Sequence, residues 1–229
     1  MRVMIVGAHP DDAEFGCGGT IAKWAEEGAE VFLLVATNGD KGDDSGKTTP
    51  EELAQIRLKE QKDAAGVLKL KQVEFLPHAD GSLIYSTELR GDVVFWIRSW
   101  KPDVLFSHDP EPFIHQDGSV NHADHRAIGA AALDAVYPFA RGRHQYPEHF
   151  AKGLQPHVVP EVYLWSSNAP NYVEDIGAFL EQKIEALLCH KSQFPDAERT
   201  RHWVREAAVV AGKQAGLGTG EAFRRILLK

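Results

Sequence analysis

Short apolar runs alternate with longer amphipathic stretches along the chain. The apolar runs are rich in β-branched and aromatic residues and predict strands at 3–6, 31–35, 73–76, 103–106 and 158–165. Apolar residues at helical spacing predict helices at 21–27, 50–68, 89–100, 127–136 and 176–189. This alternation predicts an α/β fold, a Rossmann-like three-layer sandwich with a mostly parallel sheet and helices on both faces. With no internal repeat, residues 1–229 are expected to form a single domain.

The end of the first predicted strand carries an unusual group of polar residues. Gly7 and Pro10 stop the apolar run, and between and after them come His9, Asp11 and Asp12. In open α/β sheets, ligands bind at the carboxyl ends of the strands. Potential charge at the end of a core strand is costly for folding alone, so the group favours a metal or substrate site.

A histidine pair lies far downstream, just before the helix predicted at 127–136. His122 and His125 are three residues apart and would share one face of a helix. Catalytic zinc sites use three nitrogen or oxygen ligands and an open position, which His9, Asp12 and one of these two histidines would supply. Fe²⁺ or Co²⁺ would also accept such ligands. A lone His-x-x-His is weak evidence and is compatible with a solvated helix start, and a lone Asp-Asp is more often a turn or a helix N-cap, but together the two motifs favour a metal site.

The composition and charge of the chain disfavour several kinds of function. The chain of 229 residues has a net charge of −8 and no basic run, which disfavours binding to nucleic acid or to an anionic membrane. It has no predicted signal peptide and no apolar run long enough to span a bilayer. Its two cysteines, Cys17 and Cys189, do not form a disulfide framework, so a cytoplasmic location is expected.

A nucleotide-binding fold is the main alternative for the first strand, because Gly16, Gly18 and Gly19 follow it. However, the turn directly after the strand holds carboxylates, which would repel a pyrophosphate. Dinucleotide binding is therefore disfavoured.

The motif Ala8–Glu14 together with His122–His125 resembles the LmbE-like family, the PIG-L-type zinc-dependent de-N-acetylases. Further segments are similar to family motifs in the same order, with Asp40 where many members carry Glu: Gly16–Thr20, Thr37–Gly42, Arg57–Glu60, Asp80–Gly81, Lys183 and His190–Gln193. The likeness extends over most of the chain and is more specific for the fold and the metal site than for the substrate.

The resemblance implies roles for individual residues. It implies a zinc ion held by His9, Asp12 and His125, with Asp11 as the general base. His122 resembles the histidine that stabilises the oxyanion or protonates the leaving amine, and Asp124 would keep His122 protonated, although a helix cap is an alternative role for Asp124. Three further residues match positions that contact the sugar in family members: Asp40, Arg57 and Asp80. Pairing of Arg57 with Glu60 or a neighbouring loop is an equal alternative.

Three other residues near the motifs have simpler explanations. His108 and His115 precede the second motif, but one or two of the eleven histidines are expected near any site, so neither is assigned as a ligand. Trp165 could stack on a sugar, although core or interface packing is more common for a strand-end tryptophan.

The sequence thus predicts a zinc-dependent hydrolase that removes an acetyl group from an N-acetylated, sugar-containing small molecule of the N-acetylglucosamine type. The alternatives are a metal-dependent amidase of thiol or antibiotic metabolism and, from another class, a non-catalytic sugar-binding module. The set of metal ligands with a free base beside it disfavours the last. The resemblance also implies a homo-oligomer, with a hexamer as one candidate.

Overall fold

A seven-stranded sheet forms the centre of the fold in the computed structural model, which describes residues 1–228. In chain order the strands are β1 (Arg2–Gly7), β2 (Glu30–Thr37), β3 (Gln72–His78), β4 (Val104–His108), β5 (Glu161–Trp165), β6 (Tyr172–Asp175) and β7 (Gly220–Leu227). The helices are α1 (Asp12–Glu26), α2 (Pro50–Val67), α3 (Thr87–Trp100), α4 (Ala123–Asp134), α5 (Glu148–Ala151), α6 (Leu180–Leu187) and α7 (Ala197–Lys213).

The sheet has the strand order β3-β2-β1-β4-β5-β7-β6. The first five strands of the chain pair in parallel, whereas β7 runs antiparallel to both β5 and β6. The α/β fold with a mostly parallel sheet predicted from the sequence is therefore confirmed. Because β1 and β4 are neighbours at the centre, the residues that follow them meet at one edge of the sheet.

Strand β1 shows how the two faces of the sheet are covered. Met4 and Val6 belong to the core cluster that includes the apolar residues of α3 and α4. Val3 and Ile5 point to the opposite face, where they pack with the apolar residues of α1. All four side chains are fully buried, which is why β1 is apolar at every position rather than at alternate ones.

Some element boundaries differ from the sequence prediction. Strand β6, helix α7 and strand β7 were not predicted, α4 begins four residues earlier than expected, and the helix predicted at 176–189 contains a short 3₁₀ turn before α6. Within residues 1–228, no helix is both long and apolar enough to cross a membrane.

Helix α1 starts at Asp12 rather than at the predicted Ile21, because the glycines after the first motif are helical. A Cβ atom on Gly16 would lie 2.5 Å from the indole of Trp165, and one on Gly19 would lie 2.8 Å from Ile176. These glycines therefore permit close packing of α1 and do not form a phosphate-binding turn. The helix is kinked at Cys17, whose φ of −147° and ψ of 18° are not helical.

A buried ion pair satisfies the backbone groups that this kink leaves without helical partners. The Nζ atom of Lys183 donates to the Phe15 carbonyl at 2.7 Å and to Glu221 Oε1 at 2.5 Å. The carboxylate of Glu221 in turn accepts the backbone N–H groups of Gly19 and Thr20 at 2.9 and 2.7 Å. The C-terminal third of the chain thus fixes the first turns of α1, which carry the polar residues of the first motif.

Candidate metal centre and active site

The turn between β1 and α1 separates the two neighbouring carboxylates of the first motif. Asp11 has φ 99° and ψ −21°, a left-handed conformation that is rare for any residue other than glycine. Its backbone N–H donates to Gln61 Oε1 at 3.1 Å. Backbone strain of this kind is typical of functional sites. As a result of this turn, the side chains of Asp11 and Asp12 have entirely different partners.

The carboxylate of Asp12 uses its two oxygens differently. Its Oδ2 atom accepts the backbone N–H groups of Ala8 and His9 at 2.8 and 2.7 Å and lies 3.0 Å from His108 Nε2. Its Oδ1 atom lies 3.2 Å from His125 Nε2. Burial raises the pKa of Asp12, but the adjacent His125 and His108 outweigh burial and hold that pKa well below its usual range.

Three side chains from the two sequence motifs lie together at the carboxyl ends of β1 and β4. His125 Nε2 is 3.3 Å from His9 Nδ1 and 3.2 Å from Asp12 Oδ1, while His9 Nδ1 is 3.7 Å from Asp12 Oδ2. Three ligands at about 2.0–2.2 Å from one tetrahedral ion are separated by about 3.3–3.6 Å. Two of the three separations match this spacing, while the His9–Asp12 distance is to the other carboxylate oxygen. Among residues 1–228, His125 belongs to one group of possible ligands with His9 and His122 and to another with Asp12 and His108. The residues predicted as metal ligands are therefore gathered at one place, although these three do not by themselves form such a group.

The second nitrogen of His9 contacts two carboxylates. Its Nε2 atom lies 3.1 Å from Asp80 Oδ1 and 3.3 Å from Asp124 Oδ2. Burial lowers the pKa of His9, but these two hydrogen bonds and the charge of Asp12 outweigh burial and raise it to about 10. A carboxylate on the far nitrogen of a ligand histidine orients the ring and directs the other nitrogen to the metal. A metal ion would have to displace the proton from His9 Nδ1.

Asp124 differs from the sequence expectation, which placed its carboxylate on His122. Besides His9, the carboxylate accepts the backbone N–H groups of Gly81 at 2.8 Å and Leu83 at 3.2 Å. The side chain is thus directed away from His122 because the loop after β3 supplies two N–H donors. Asp124 supports a proposed metal ligand rather than the proposed electrophile.

His122 is the N-cap residue of α4 and is exposed in the cleft. Its Nδ1 atom accepts the backbone N–H of Asp124 at 3.2 Å. Burial of the ring lowers the pKa of His122, and the nearby charges of His9 and His125 lower it further. The expectation that His122 is held in its protonated form is therefore not met. Because Nδ1 accepts, the neutral ring carries its proton on Nε2 and remains a hydrogen-bond donor.

Asp11 lies beside a buried arginine. Arg57 Nη2 donates to Asp11 Oδ2 at 3.1 Å and to the Pro10 carbonyl at 2.6 Å. Burial raises the pKa of Asp11 to about 6, an effect that the charge of Arg57 opposes and that of Asp12 reinforces. A carboxyl group with a pKa near 6 is suited to general-base catalysis at neutral pH.

The three residues expected to contact a sugar differ in accessibility. Arg57 is only 4% exposed and its Nη1 atom also donates to the Gly39 carbonyl, so it connects two loops instead of facing the cleft. Asp80 is 5% exposed and is engaged with His9 and with the Lys41 backbone N–H. Asp40 is half-buried, and its Oδ1 atom has no hydrogen-bond partner within residues 1–228. That Oδ1 atom is itself shielded from solvent, and Asp40 does not line the cleft described below, so sugar contact by any of the three stays a prediction.

An open cleft of ≈ 530 Å³ lies over the histidines. His122 and His125 form its floor, and its walls come from the loop before α4, the residues after β5 and the exposed ring of Phe15. Trp165, considered for sugar stacking, is 2% exposed and cannot stack on a ligand.

Two contributors to the site were not assigned from the sequence. His108, at the end of β4, lies 3.0 Å from Asp12 and stacks on His125 with ring centroids 4.0 Å apart. The signal for it was its position two residues beyond the predicted fourth strand, next to β1, whose last residue Gly7 comes two residues before His9. Burial lowers the pKa of His108 to about 4, so its ring is neutral.

The second is Gln61, which donates to Glu14 Oε1 at 2.7 Å while it accepts the Asp11 backbone N–H. Glu14 is fully buried and lies 3.4 Å from His190 Nε2. A layer of buried polar groups therefore supports the strained turn from behind. The position of Gln61 in the sequence pattern of α2 does not predict these contacts, because the contacts depend on how α2 packs against α1.

The PIG-L family profile, described as GlcNAc-PI de-N-acetylase, matches residues 4–136. The chain is 34% identical to a diacetylchitobiose deacetylase of Thermococcus kodakarensis over 97% of its own length and 82% of the relative. It is 28% identical to a probable N-acetyl-alpha-D-glucosaminyl L-malate deacetylase of Bacillus anthracis, covering 84% of this chain and 81% of the relative.

Among solved structures, the N,N'-diacetylchitobiose deacetylase of Pyrococcus horikoshii, complexed with its inhibitor MPG, superposes with a TM-score of 0.91. The identity is 33%, over 99% of this chain and 84% of the other. This chain belongs to the PIG-L (LmbE-like) de-N-acetylase family. It is therefore a hydrolytic N-deacetylase, as predicted from its sequence.

Proposed function

We propose that the protein is a zinc-dependent hydrolase that removes the acetyl group from an N-acetylglucosamine-type sugar. The observation that carries the proposal is that His125 Nε2 lies 3.3 Å from His9 Nδ1 and 3.2 Å from Asp12 Oδ1, which gathers the three residues at one place. A second carboxylate, Asp11, stands beside this set with its own separate partners. A sugar-binding module would have no use for such an arrangement.

The residues present fit the metal by their chemistry. Two imidazoles and one carboxylate are a typical ligand set for catalytic zinc, and one carboxylate leaves the site with a net positive charge. When bound, the ion would polarise the acetamide carbonyl and lower the pKa of a water molecule. Fe²⁺ and Co²⁺ accept the same ligands, so the choice of zinc among them is a proposal.

Asp11 acts as the general base. Its strained backbone and its hydrogen bond to Arg57 hold the carboxylate apart from Asp12, so that it is free to take a proton from the attacking water. The water oxygen bonds to the acetyl carbon, the amide C–N bond breaks, and the proton held by Asp11 passes to the sugar nitrogen, so that acetate and the free amine leave. This is the role expected of Asp11 from the family resemblance.

His122 acts as a hydrogen-bond donor to the developing oxyanion. Its ring lies edge-on to His9 with ring centroids 4.9 Å apart, on the cleft side of the donor set. The backbone N–H on Nδ1 leaves Nε2–H as the donor. A neutral imidazole serves this purpose, so the mechanism does not need the Asp124-supported cation expected from the sequence.

The sugar is proposed to lie in the cleft above the histidines. Asp40 is kept as the sugar contact on the family resemblance; its Oδ1 atom has no partner within residues 1–228 but is buried, so the side chain would have to turn toward the cleft to accept a sugar hydroxyl group. The N-acetylglucosamine-type substrate is supported by the names of the relatives, which act on diacetylchitobiose and on an N-acetylglucosaminyl malate.

Release of acetate tests this function. The purified protein is loaded with Zn²⁺ and incubated with N-acetylglucosamine, diacetylchitobiose and a panel of non-sugar amides, and both acetate and free amine are measured. We expect equal amounts of acetate and amine from the sugars, loss of activity with a chelator and recovery with Zn²⁺. Turnover of the other amides alone would identify an amidase of another kind, and absence of all turnover would leave a binding module.

The assembly and the location of the protein stay predictions. A homo-oligomer, with a hexamer as one candidate, is expected from the family resemblance, and sedimentation of the zinc-loaded protein would measure its size. A cytoplasmic location is likewise expected from the two unpaired cysteines.

A further inference from the structure

His108 lies between the metal centre and a buried tryptophan. It is the last residue of β4, is 3% exposed, and pairs across the sheet with Trp165, the last residue of β5. On one side its Nδ1 atom is 3.0 Å from Trp165 Nε1, and on the other its Nε2 atom is 3.0 Å from Asp12 Oδ2. The three residues form one line of hydrogen bonds.

The chemistry of tryptophan fixes the direction of this line. An indole Nε1–H can only donate a hydrogen bond. His108 Nδ1 must therefore be the acceptor, and the proton of the neutral imidazole must be on Nε2. That proton points to Asp12, so His108 is a donor to the carboxylate.

The alternative role for His108 is as a metal ligand. His108, Asp12 and His125 form one of the groups of donor atoms within 4.8 Å of one another among residues 1–228. Coordination through Nε2 would require the proton to move to Nδ1, where it would oppose the indole N–H of Trp165. The buried Trp165 therefore keeps His108 out of the ligand set.

The hydrogen bond to Asp12 determines how that residue can bind a metal. With the N–H groups of Ala8, His9 and His108, the Oδ2 atom of Asp12 already accepts three hydrogen bonds. Only Oδ1 is left for an ion. Asp12 is then a ligand through one oxygen, which keeps the number of protein ligand atoms at three and a position open for substrate.

Trp165 is itself held firmly. Its indole is 2% exposed and lies against Gly16 of α1, where a Cβ atom would approach to 2.5 Å. Helix α1 also carries Asp12, so the indole and the ligand are fixed to the same element.

We propose that Trp165 and His108 are positioning residues that hold Asp12 as a one-oxygen metal ligand and keep His108 from coordinating the ion. The inference rests on the proposed metal site, since it concerns how one ligand of that site is oriented. Neither residue is expected to touch the substrate.

The test compares zinc affinity among matched variants of the full-length protein. His108→Leu removes the donor to Asp12, whereas His108→Gln can place an amide N–H near the position of Nε2. Zinc dissociation constants are measured by competition with a chromogenic chelator. We expect about 10–100-fold weaker binding for H108L, the usual effect of losing a hydrogen bond to a metal ligand, and near-normal binding for H108Q. Equal affinity of H108L and wild type, or equal loss in both variants, would overturn the proposal.

Trp165→Phe tests the tautomer separately, with Trp100→Phe as its control. Trp100 is 5% exposed and stacks on Phe32 away from the metal centre, so its substitution makes a comparable packing defect. In W165F the proton of His108 is free to move to Nδ1, and we expect a changed visible spectrum of the Co²⁺-loaded protein, because ligand number affects Co²⁺ absorption strongly. W100F should keep the wild-type spectrum. An unchanged spectrum in W165F would refute the role of Trp165.

The comparison remains informative if H108L does not fold, because W165F against W100F still decides whether the line of hydrogen bonds affects the ion. It also separates two kinds of failure. A wild-type protein that binds no divalent ion would disprove the proposed metal centre. A wild-type protein that binds zinc and releases acetate, with unchanged ion binding in H108L and an unchanged spectrum in W165F, would disprove only this inference.

Discussion

Arg57 and Asp11 form a hydrogen-bonded ion pair of 3.1 Å at the edge of the proposed active site. The guanidinium is almost completely buried, and it also binds the carbonyl groups of Pro10 and Gly39. One side chain thus connects the loops after β1 and β2 and influences the charge state of the proposed base.

Substitution of Arg57 should change the pH dependence of the reaction. Asp11 acts as a base only when ionised, so the rate falls as the pH falls through its pKa. Burial raises that pKa to about 6, and the positive charge of Arg57 opposes the rise. We expect Arg57→Gln to raise the pKa and to move the acid limb of kcat/KM to higher pH, as measured from pH 4 to 9. Arg57→Lys keeps the charge and should keep the limb, and an identical limb in all three proteins would contradict this account.

Asp11 should be needed for turnover but not for metal binding. Asp11→Asn keeps the size of the side chain and removes the basic oxygen. We expect kcat to fall by about 10²–10⁴-fold, the usual effect of losing a general base, with one zinc per chain retained. Kinetics and metal analysis of the same preparation would check both points. Loss of zinc from this variant would instead identify Asp11 as a ligand.

His122 should contribute to the rate without determining the alkaline limb of the pH profile. Burial and the neighbouring histidines lower its pKa, so the ring is already neutral at neutral and alkaline pH. We expect His122→Ala to lower kcat by about 10²-fold or more, as for the loss of an oxyanion donor. The alkaline limb of the remaining activity should lie where it does in the wild type. Disappearance of that limb in H122A would show that His122 acts as a cation.

Asp124 should affect the metal rather than His122. Its carboxylate binds His9 and two backbone N–H groups of the loop after β3. We expect Asp124→Asn to weaken zinc binding by about 10–100-fold, as for other groups that orient ligand histidines. Equilibrium competition with a chelator measures this, with Asp134→Asn at the other end of α4 as a surface control. Normal zinc affinity together with an altered pH profile would favour the sequence-based role for Asp124 over the one described above.

The buried Lys183–Glu221 pair should be important for stability. Removing one partner leaves the other charge buried without compensation, and Lys183→Met is expected to lower the free energy of unfolding by about 3–5 kcal/mol. Lys183→Met combined with Glu221→Gln should cost less than the sum of the two single changes, because the remaining charge is removed as well. Urea unfolding of the zinc-loaded variants would measure both. Lys59→Met removes the exposed pair with Asp63 and should have a much smaller effect.

The sequence predicted the centre of the fold more accurately than its edge. Strands β1, β2 and β4 are buried on both faces and therefore appear as continuous apolar runs, which is a strong signal. Strand β7 was not predicted from the sequence, because Arg224 and Arg225 interrupt its apolar pattern. Its arginines form ion pairs with Glu111 and Glu161, so their charges are compensated by parts of the chain far away in sequence.

The donor residues of the site could be predicted because each follows the end of a strand or begins a helix. Their hydrogen-bond partners could not. Whether Asp124 faces His122 or His9 depends on where the Gly81–Leu83 loop lies, and this follows from tertiary packing. The same holds for Arg57, which is 46 residues from Asp11 in sequence and meets it only because α2 packs beside α1.

The kink in α1 makes the residues matched by the family profile dependent on the rest of the chain. The region matched by the family profile ends at residue 136, whereas Lys183 and Glu221, which satisfy the backbone of the kink, lie beyond it. A truncated chain of 136 residues would also expose β4 as an unprotected sheet edge, because its neighbour β5 would be missing. We therefore expect that the segment matched by the profile does not fold on its own, and that shortening the protein to it gives an aggregating fragment instead of a minimal enzyme.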